Sequence, residues 1–311
     1  MNNIKEFLTS WRKWFVFIVL IVLVAAFSLL SDHFFSLSNF AIIGRQVSMV
    51  LIIAFGMTFV ITAAQIDLSV GAIAALTGMT ATLSLRAGVG VFIASLIGIL
   101  TGVLLGFING IITAKLKIPA FLTTLGMMSV ARGIALTITN TRTVVVFNEI
   151  FPLIWGSGYL LGIPVPILWV LLTFVVSYIV YEKTAFGNYV KATGGNKIAA
   201  KFSGIDTEKI IVIVLTISGL VAAIAGLIMA GRLSAGRPSV GRSLNLDAIA
   251  AVILGGTSLF GGKGSILGTL VGALIIGVLT NGLIILGLSS SIQTIVKGAI
   301  IIAAVSLSEK A

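Results

Sequence analysis

The sequence predicts an all-α fold: a polytopic transmembrane bundle of about ten helices arranged as two inverted five-helix repeats. Three observations carry this. Hydrophobic residues make up 58% of the 311 positions and charged residues 9%, with a mean hydropathy of +1.20, where a soluble domain carries about a quarter charged residues. The apolar residues fall into runs close to the ~20 needed to cross hydrocarbon. The two halves also echo one another: "IDLSVGAIAALTG" (66–78) matches "LNLDAIAAVILGG" (244–256), and "GFINGII" (106–112) is answered by "GVLTNGLII" (277–285). An odd number of helices per half turns the second copy upside down, an arrangement that places a pathway at the repeat interface. Gly- and Ala-rich helices resemble each other by composition alone, but the matched order of the Asp and Asn-Gly elements favours duplication.

Taken in order, the first span is 14–30, preceded by Lys5, Arg12 and Lys13. It lacks a small-x-small cleavage site and is read as a retained helix rather than a signal peptide. Spans at 47–64, 68–86, 91–113 and 121–139 complete the first repeat (1–140). The second repeat (164–311) holds 164–181, 210–230, 245–257, 265–287 and 292–307, of which 245–257 is short and Gly-ended, a broken or half-spanning helix. Both repeats form one transmembrane domain, 1–311, and a polar loop, 182–209, lies inside the second.

The net charge of +11 suggests nucleic acid in a soluble protein, but here the basic residues are sorted by side. Lys115, Lys117, Lys183, Lys191, Lys197, Lys201, Lys209 and Lys263 fall with both termini; Arg45, Arg86, Arg142, Arg232, Arg237 and Arg242 fall opposite. The positive-inside rule then puts both termini in the cytoplasm of a multi-pass protein and makes nucleic acid an unsuitable partner. With no cysteine and His33 as the single histidine, a metal or haem site is not expected.

Chemistry-bearing residues are few. Asp67 and Asp247 stand near span ends at matching places in the halves. A carboxylate in hydrocarbon is by default functional, yet each opens an Ala-rich helix, and an N-cap is the favoured reading. No carboxylate is expected deep in a span. With Asp67 and Asp247, the candidates for a pathway are Ser69, Gly71, Asn109, Gly255, Gly256, Thr257 and Asn281, since a neutral polar solute needs hydroxyl and amide partners; packing or capping explains each equally well. Gly98, Gly102 and Gly106 share a helical face, as do Gly268 and Gly272, which suits close helix packing. "GGTSLFGGKGS" (255–265) has the wrong spacing for a phosphate-binding loop and is read as a tight turn. Arg132 and Lys297 lie inside spans, facing a wet pathway, snorkelling or pairing with a carbonyl. Arg232, Arg237 and Arg242 crowd an outer loop, suited to pairing either with headgroups, Glu149 or Asp247, or with acidic residues of a docking partner.

One polar stretch is more specific. In "KATGGNKIAAKFSGID" (191–206), Asn196 is a good N-cap and Gly204 a C-terminal stop. Ile198, Phe202 and Ile205 make one apolar edge, and Ala199 and Ala200 keep the rest thin. A short helix with a docking edge fits a groove on a soluble partner better than a membrane surface.

"GGNKIAAKFSGI" resembles the coupling segment of ribose-type sugar ABC importer permeases, and "DAIAAVILGGTSLFGGKGSILGTLVGALIIGVLTNGL" resembles their C-terminal signature. "IDLSVGAIAALTG" and "NGIITAKLKIPAFLTTLGMMSVARGIAL" match the N-terminal half, so the resemblance covers nearly the whole chain. It implies a bacterial inner-membrane permease without enzymatic activity, paired with a second permease copy. Cytoplasmic ATP-binding subunits, which hold the ATP and magnesium, would dock on Asn196, Ile198, Ala199, Ala200, Phe202 and Gly204. A periplasmic sugar-binding protein would dock on Arg232, Arg237 and Arg242. The chain departs from the general importer motif in having Ile198 where Glu precedes the paired alanines, and Lys197 where relatives often place an acidic residue; this bears on the charge pattern of the contact. The reading from a different class is an ion-coupled secondary transporter, for which Asp67 and Asp247 speak.

Overall fold

A computed structural model describes the backbone of residues 2–309 and the side chains of residues 16–300 and 302; Lys5, Arg12, Lys13 and Lys310, on which part of the charge sorting rests, lie outside the described side chains. The first half consists of α1 (Asn2–Leu30), α2 (Leu37–Thr62), α3 (Val70–Arg86), α4 (Val91–Lys115) and α5 (Ala120–Ile138). A connecting region follows with β1 (Val144–Val145), α6 (Ile150–Trp155), β2 (Tyr159–Leu160) and β3 (Ile163–Pro164). Then come α7 (Val165–Lys183), α8 (Ala185–Gly195), α9 (Lys197–Phe202), α10 (Thr207–Leu233), β4 (Ala235–Gly236), α11 (Leu244–Leu254), α12 (Ile266–Ile285) and α13 (Ser290–Glu309).

The protein is an all-α, polytopic membrane protein. Among the described residues, 6 helices (α2, α4, α5, α7, α10 and α12) are long and apolar enough to cross a membrane, while 16–30, α3 and α11 are shorter apolar helices. Each expected span coincides with a helix, but the bounds move. Apart from α1, which already begins at Asn2, the largest shift is at α2, which starts ten residues before the expected position 47. The hydropathy of that stretch is lowered by Ser38, Asn39, Arg45 and Gln46, of which Asn39 is satisfied locally. Ser36 caps the helix by accepting from Asn39 N at 3.3 Å, and buried Asn39 donates to Phe34 O at 2.8 Å. Arg45, expected in an outer loop, therefore sits on a helix, where it donates to Tyr159 Oη at 2.6 Å.

The 140–163 region, where no element is expected from sequence, pairs β2 with β3 antiparallel within itself and β1 with the distant β4. It is pinned by a stacked tryptophan pair, Trp155 on Trp169 at 4.4 Å, and by Trp155 Nε1 donating to Ser95 Oγ at 2.9 Å. These pairs are too short for the period-2 pattern that betrays a strand.

Two helices organise the bundle. α10 packs on α4, α3 and α2, and α2 packs on α10, α12 and α11. Glycine makes the first of these approaches possible. A Cβ on Gly102 would lie 2.5 Å from Gly219 O, one on Gly106 2.5 Å from Leu215 O, and one on Gly219 would run into Gly102 O. The predicted glycine face of α4 is thus a backbone-to-backbone seam with α10. Gly268 and Gly272 do the same for α12 against Gly255, which caps α11, and Ala251 within it. With lipid as apolar as leucine, such close approach supplies the packing that the hydrophobic effect supplies in water. The flanks of α4, α5 and α7, such as Leu104, Val130 and Leu171, are correspondingly exposed and apolar.

Candidate functional site

The interior site begins where α2 ends. Residues 63–69 are not helical, and the chain turns back into the bundle before α3 starts. Irregular backbone at membrane depth persists only where protein satisfies it. Here Thr124 on α5 accepts from Leu68 N at 3.0 Å and donates to Ile66 O at 3.3 Å. The stretch delivers Asp67, which is 0% exposed, to the middle of the protein. Its Oδ1 accepts from Ser69 N at 2.8 Å and Ser69 Oγ at 2.5 Å; its Oδ2 accepts from Ser218 Oγ of α10 at 2.7 Å. Asn109 Nδ2 of α4 donates to Ser69 Oγ at 3.0 Å, leaving Asn109 Oδ1 without a hydrogen-bond partner.

This corrects two expectations. Asp67 does not cap α3, whose N-cap is Ser69; it bridges the 63–69 stretch to α10. It also lies deep, since Ser218 stands well inside the 27-residue α10, about 16 Å from the start of that helix at 1.5 Å per residue. Asp247 is not a cap either. It is the fourth residue of α11, behind Ser243, and its carboxylate binds Lys297 Nζ at 3.3 Å, so Lys297 pairs with a side chain rather than with a carbonyl. Asn281 donates to Asn39 Oδ1 at 3.0 Å, Gly255 packs on Gly268, and buried Thr257 leaves its hydroxyl unpaired. Gly71 meets Gly241, so the α3 start abuts the loop before α11, while Gly256 has a left-handed φ of 85°. The structure thus joins Asp67, Ser69 and Asn109 in one network and leaves the other pathway candidates dispersed. Ser218 and Thr124, which complete the network, were missed: a serine in an apolar helix and a threonine in an Ala- and Leu-rich one carry no local signal of a distant partner.

The second site lies at the end of the bundle where α2, α4 and α7 finish. Asn196 Oδ1 accepts from Ile198 N at 3.1 Å and Ala199 N at 2.9 Å, and α9 stops before Gly204, φ 83°. Ala200 is buried, Ala199 is exposed, and Ile198 and Phe202 are 71% and 88% exposed. Ile205 does not share their edge; the chain has turned past Gly204, and Ile205 packs on the core. The loop 182–209 is mostly helical through α8 and α9.

The α8–α9 junction is fixed to the bundle through glycines. A Cβ on Gly194 would strike Thr62 O at the end of α2, and one on Gly262 would lie 2.8 Å from Gly195 Cα. Gly262 N donates to Thr62 O at 2.9 Å, and Thr62 Oγ1 shares a hydrogen bond with Tyr181 Oη at 2.9 Å. Lys191 binds Glu182 at 3.1 Å and lies 4.4 Å from the Tyr181 ring centre. The 255–265 turn, with left-handed Gly256, Gly261 and Gly262, is therefore a seat for the α8–α9 junction.

At the opposite end, the three expected docking arginines separate. Arg232 belongs to the last turn of α10, is half-buried, and donates to Arg45 O at 2.8 Å. Its guanidinium is thus used internally. Arg237 and Arg242 are exposed.

The family model described as branched-chain amino acid transport system / permease component matches residues 39–305. The chain is similar to the ribose import permease protein of Haemophilus influenzae, 47% identical over 307 residues, 97% of this chain and 94% of that protein. It is 44% identical over 295 residues to the ribose import permease protein of Bacillus subtilis, covering 94% and 92%. The D-allose transport system permease protein of Escherichia coli is 40% identical over 304 residues, covering 97% and 93%. No solved structure matches the chain.

Proposed function

Because the chain belongs to this permease family, and within it to the ribose-type sugar ABC permeases, we propose that it is the membrane subunit of an ATP-driven importer for ribose or a related monosaccharide. In this reading a periplasmic binding protein delivers the sugar. ATP and magnesium are held by cytoplasmic partner subunits, the permease works as a homodimer in the inner membrane with lipid around it, and both termini are cytoplasmic.

The observation that carries the reading is the exposed edge of α9. Ile198 and Phe202 stand out from a short helix whose other side is wedged on the bundle, an expensive arrangement in water unless a partner covers it. A helix held this way passes a rigid-body displacement to α2, α7 and the 255–265 seat. Phe202→Asp places a charge at the centre of this edge and is expected to abolish co-purification of the ATP-binding subunits and sugar uptake, with membrane insertion retained. Full ATPase association by the variant would sink the proposal.

A pattern of packing supports a two-repeat architecture for four helices of each half. Exchanging α2, α3, α4 and α5 for α10, α11, α12 and α13 maps the contacts onto themselves: α10 on α3 and α4 corresponds to α2 on α11 and α12, and α3 on α5 to α11 on α13. Repeats at 1–140 and 164–311 account for this, with the pathway at their interface near Asp67, Ser69, Gly71, Asn109, Asp247, Gly255, Gly256, Thr257 and Asn281. The burial of Asp67 favours a second reading, an ion-coupled secondary transporter. Uptake stopped by vanadate and indifferent to a proton ionophore supports the importer; the reverse supports the alternative.

A further inference from the structure

Beside α9 the protein opens into a cavity of about 760 Å³, lined in part by Ile198 and Phe202. Lys117 of the α4–α5 link meets Lys197 and Lys201 of α9 around it, with Gln65 and Thr113 among the remaining lining. Glu208 also lines it, but its carboxylate is engaged by Lys115 at 3.3 Å. Among the described residues, no carboxylate pairs with Lys117, Lys197 or Lys201. Thr113 is 7% exposed and its hydroxyl has no hydrogen-bond partner, an unfavourable state for a buried polar group. Gln65 spends its Nε2 on Ala63 O and Ala64 O, which leaves the amide oxygen to accept. Lys117 has φ 57°, a conformation that Gly or Asn adopts more readily, so the position carries a lysine against its backbone preference.

We propose that this cavity binds a small soluble phosphate monoester of sugar size, its phosphate among the three lysines and its hydroxyls on Thr113 and Gln65. Three lysines converging on one space attract a multiply charged anion more strongly than a singly charged one. A monoester brings about −1.5 to −2 charges and three acceptor oxygens at neutral pH. A carboxylate or a lipid phosphodiester brings one charge. The site stands on the cavity alone. Its consequence rests on the reading of α9 above: Ile198 and Phe202 line the same cavity as Lys197 and Lys201, so an occupant bears directly on the docking edge. Phosphoryl transfer to an imported sugar would generate such an occupant, and import would then be restrained by its own product.

The test uses the full-length protein in nanodiscs of phosphatidylcholine, titrated calorimetrically with ribose 5-phosphate, inorganic phosphate and free ribose. Both phosphates are expected to bind, and ribose not. Lys117→Asn, which suits the left-handed backbone, and Lys197→Gln/Lys201→Gln, on exposed positions, should each weaken binding at least about tenfold, as loss of a charge-assisted hydrogen bond does. Thr113→Val should weaken ribose 5-phosphate more than inorganic phosphate. Adding phosphatidylglycerol to the discs should leave the affinity within about twofold, since that headgroup adds only surface charge screened over a Debye length. No phosphate binding, binding indifferent to both lysine variants, or competitive exclusion by phosphatidylglycerol would each overturn the proposal, the last assigning the cavity to a lipid headgroup. Because binding is read without ATP or partner subunits, its failure is separate from failure of α9 docking.

Discussion

Asp67 sits where a carboxylate is least tolerated, and its neighbours explain its persistence: two hydroxyls and a backbone N–H satisfy both oxygens. Removing a donor is therefore worse than neutralising the acceptor. Ser218→Ala should lower stability by about 1–3 kcal/mol, the usual consequence of leaving a buried polar group short of a partner. Asp67→Asn keeps one accepting oxygen, and the Ser218 hydroxyl can rotate to accept from the new amide, so its melting temperature should stay near wild type. Thermal unfolding of the two variants in detergent compares them. An Asn variant that unfolds well before the Ala variant would show that the charge itself, and not the hydrogen bonding, holds α10 to the 63–69 stretch.

Among the elements, α4 and α10 show how glycine content acts through position. Gly219→Ala pushes a methyl into Gly102 O, and overpacking of this kind costs about 1–3 kcal/mol. Gly133 on α5 has nothing within 4 Å of an added Cβ, so Gly133→Ala should be neutral or stabilising by up to about 1 kcal/mol from helix propensity alone. A common effect of the two substitutions on melting temperature would refute the seam. For α9, the cap and stop residues were readable because Asn196 and Gly204 act within one turn of their own sequence. The placement of Ile205 was not, since Gly204 changes the chain direction between Phe202 and Ile205.

At the scale of the whole molecule, the end of the bundle opposite α9 leaves Arg237 and Arg242 exposed, while Arg232 is tied to Arg45 O. If that end receives a binding protein with an acidic rim, Arg237→Gln/Arg242→Gln should slow association about tenfold at low ionic strength, and the difference should close as salt rises. Arg232→Gln should instead lower stability, because its contact is internal. Stopped-flow association at several salt concentrations reads the first and thermal unfolding the second. Equal association rates with equal salt slopes would assign the exposed pair to lipid.

Read residue by residue, the chain is already an all-α membrane protein, with most helices placed to within a few residues and a short capped helix at 197–202. Composition, run length and capping are local quantities, so they survive without tertiary information. The glycine face of α4 is visible too, since a four-residue spacing is fixed by helix geometry. Only the tertiary structure decided what each polar residue does. Asp67 and Asp247 look alike in sequence, both beginning an Ala-rich helix, yet one is caged by Ser69 and Ser218 and the other is paired with Lys297. Their partners lie as far as 151 positions away, on helices with no sequence mark of the contact. The same holds for Lys117, Lys197 and Lys201: spacing assigns them to one side of the membrane, but the fold brings them to one cavity. Hydropathy records how a residue partitions, whereas a hydrogen bond or ion pair depends on which distant backbone comes within 3 Å of it, and that is set by packing.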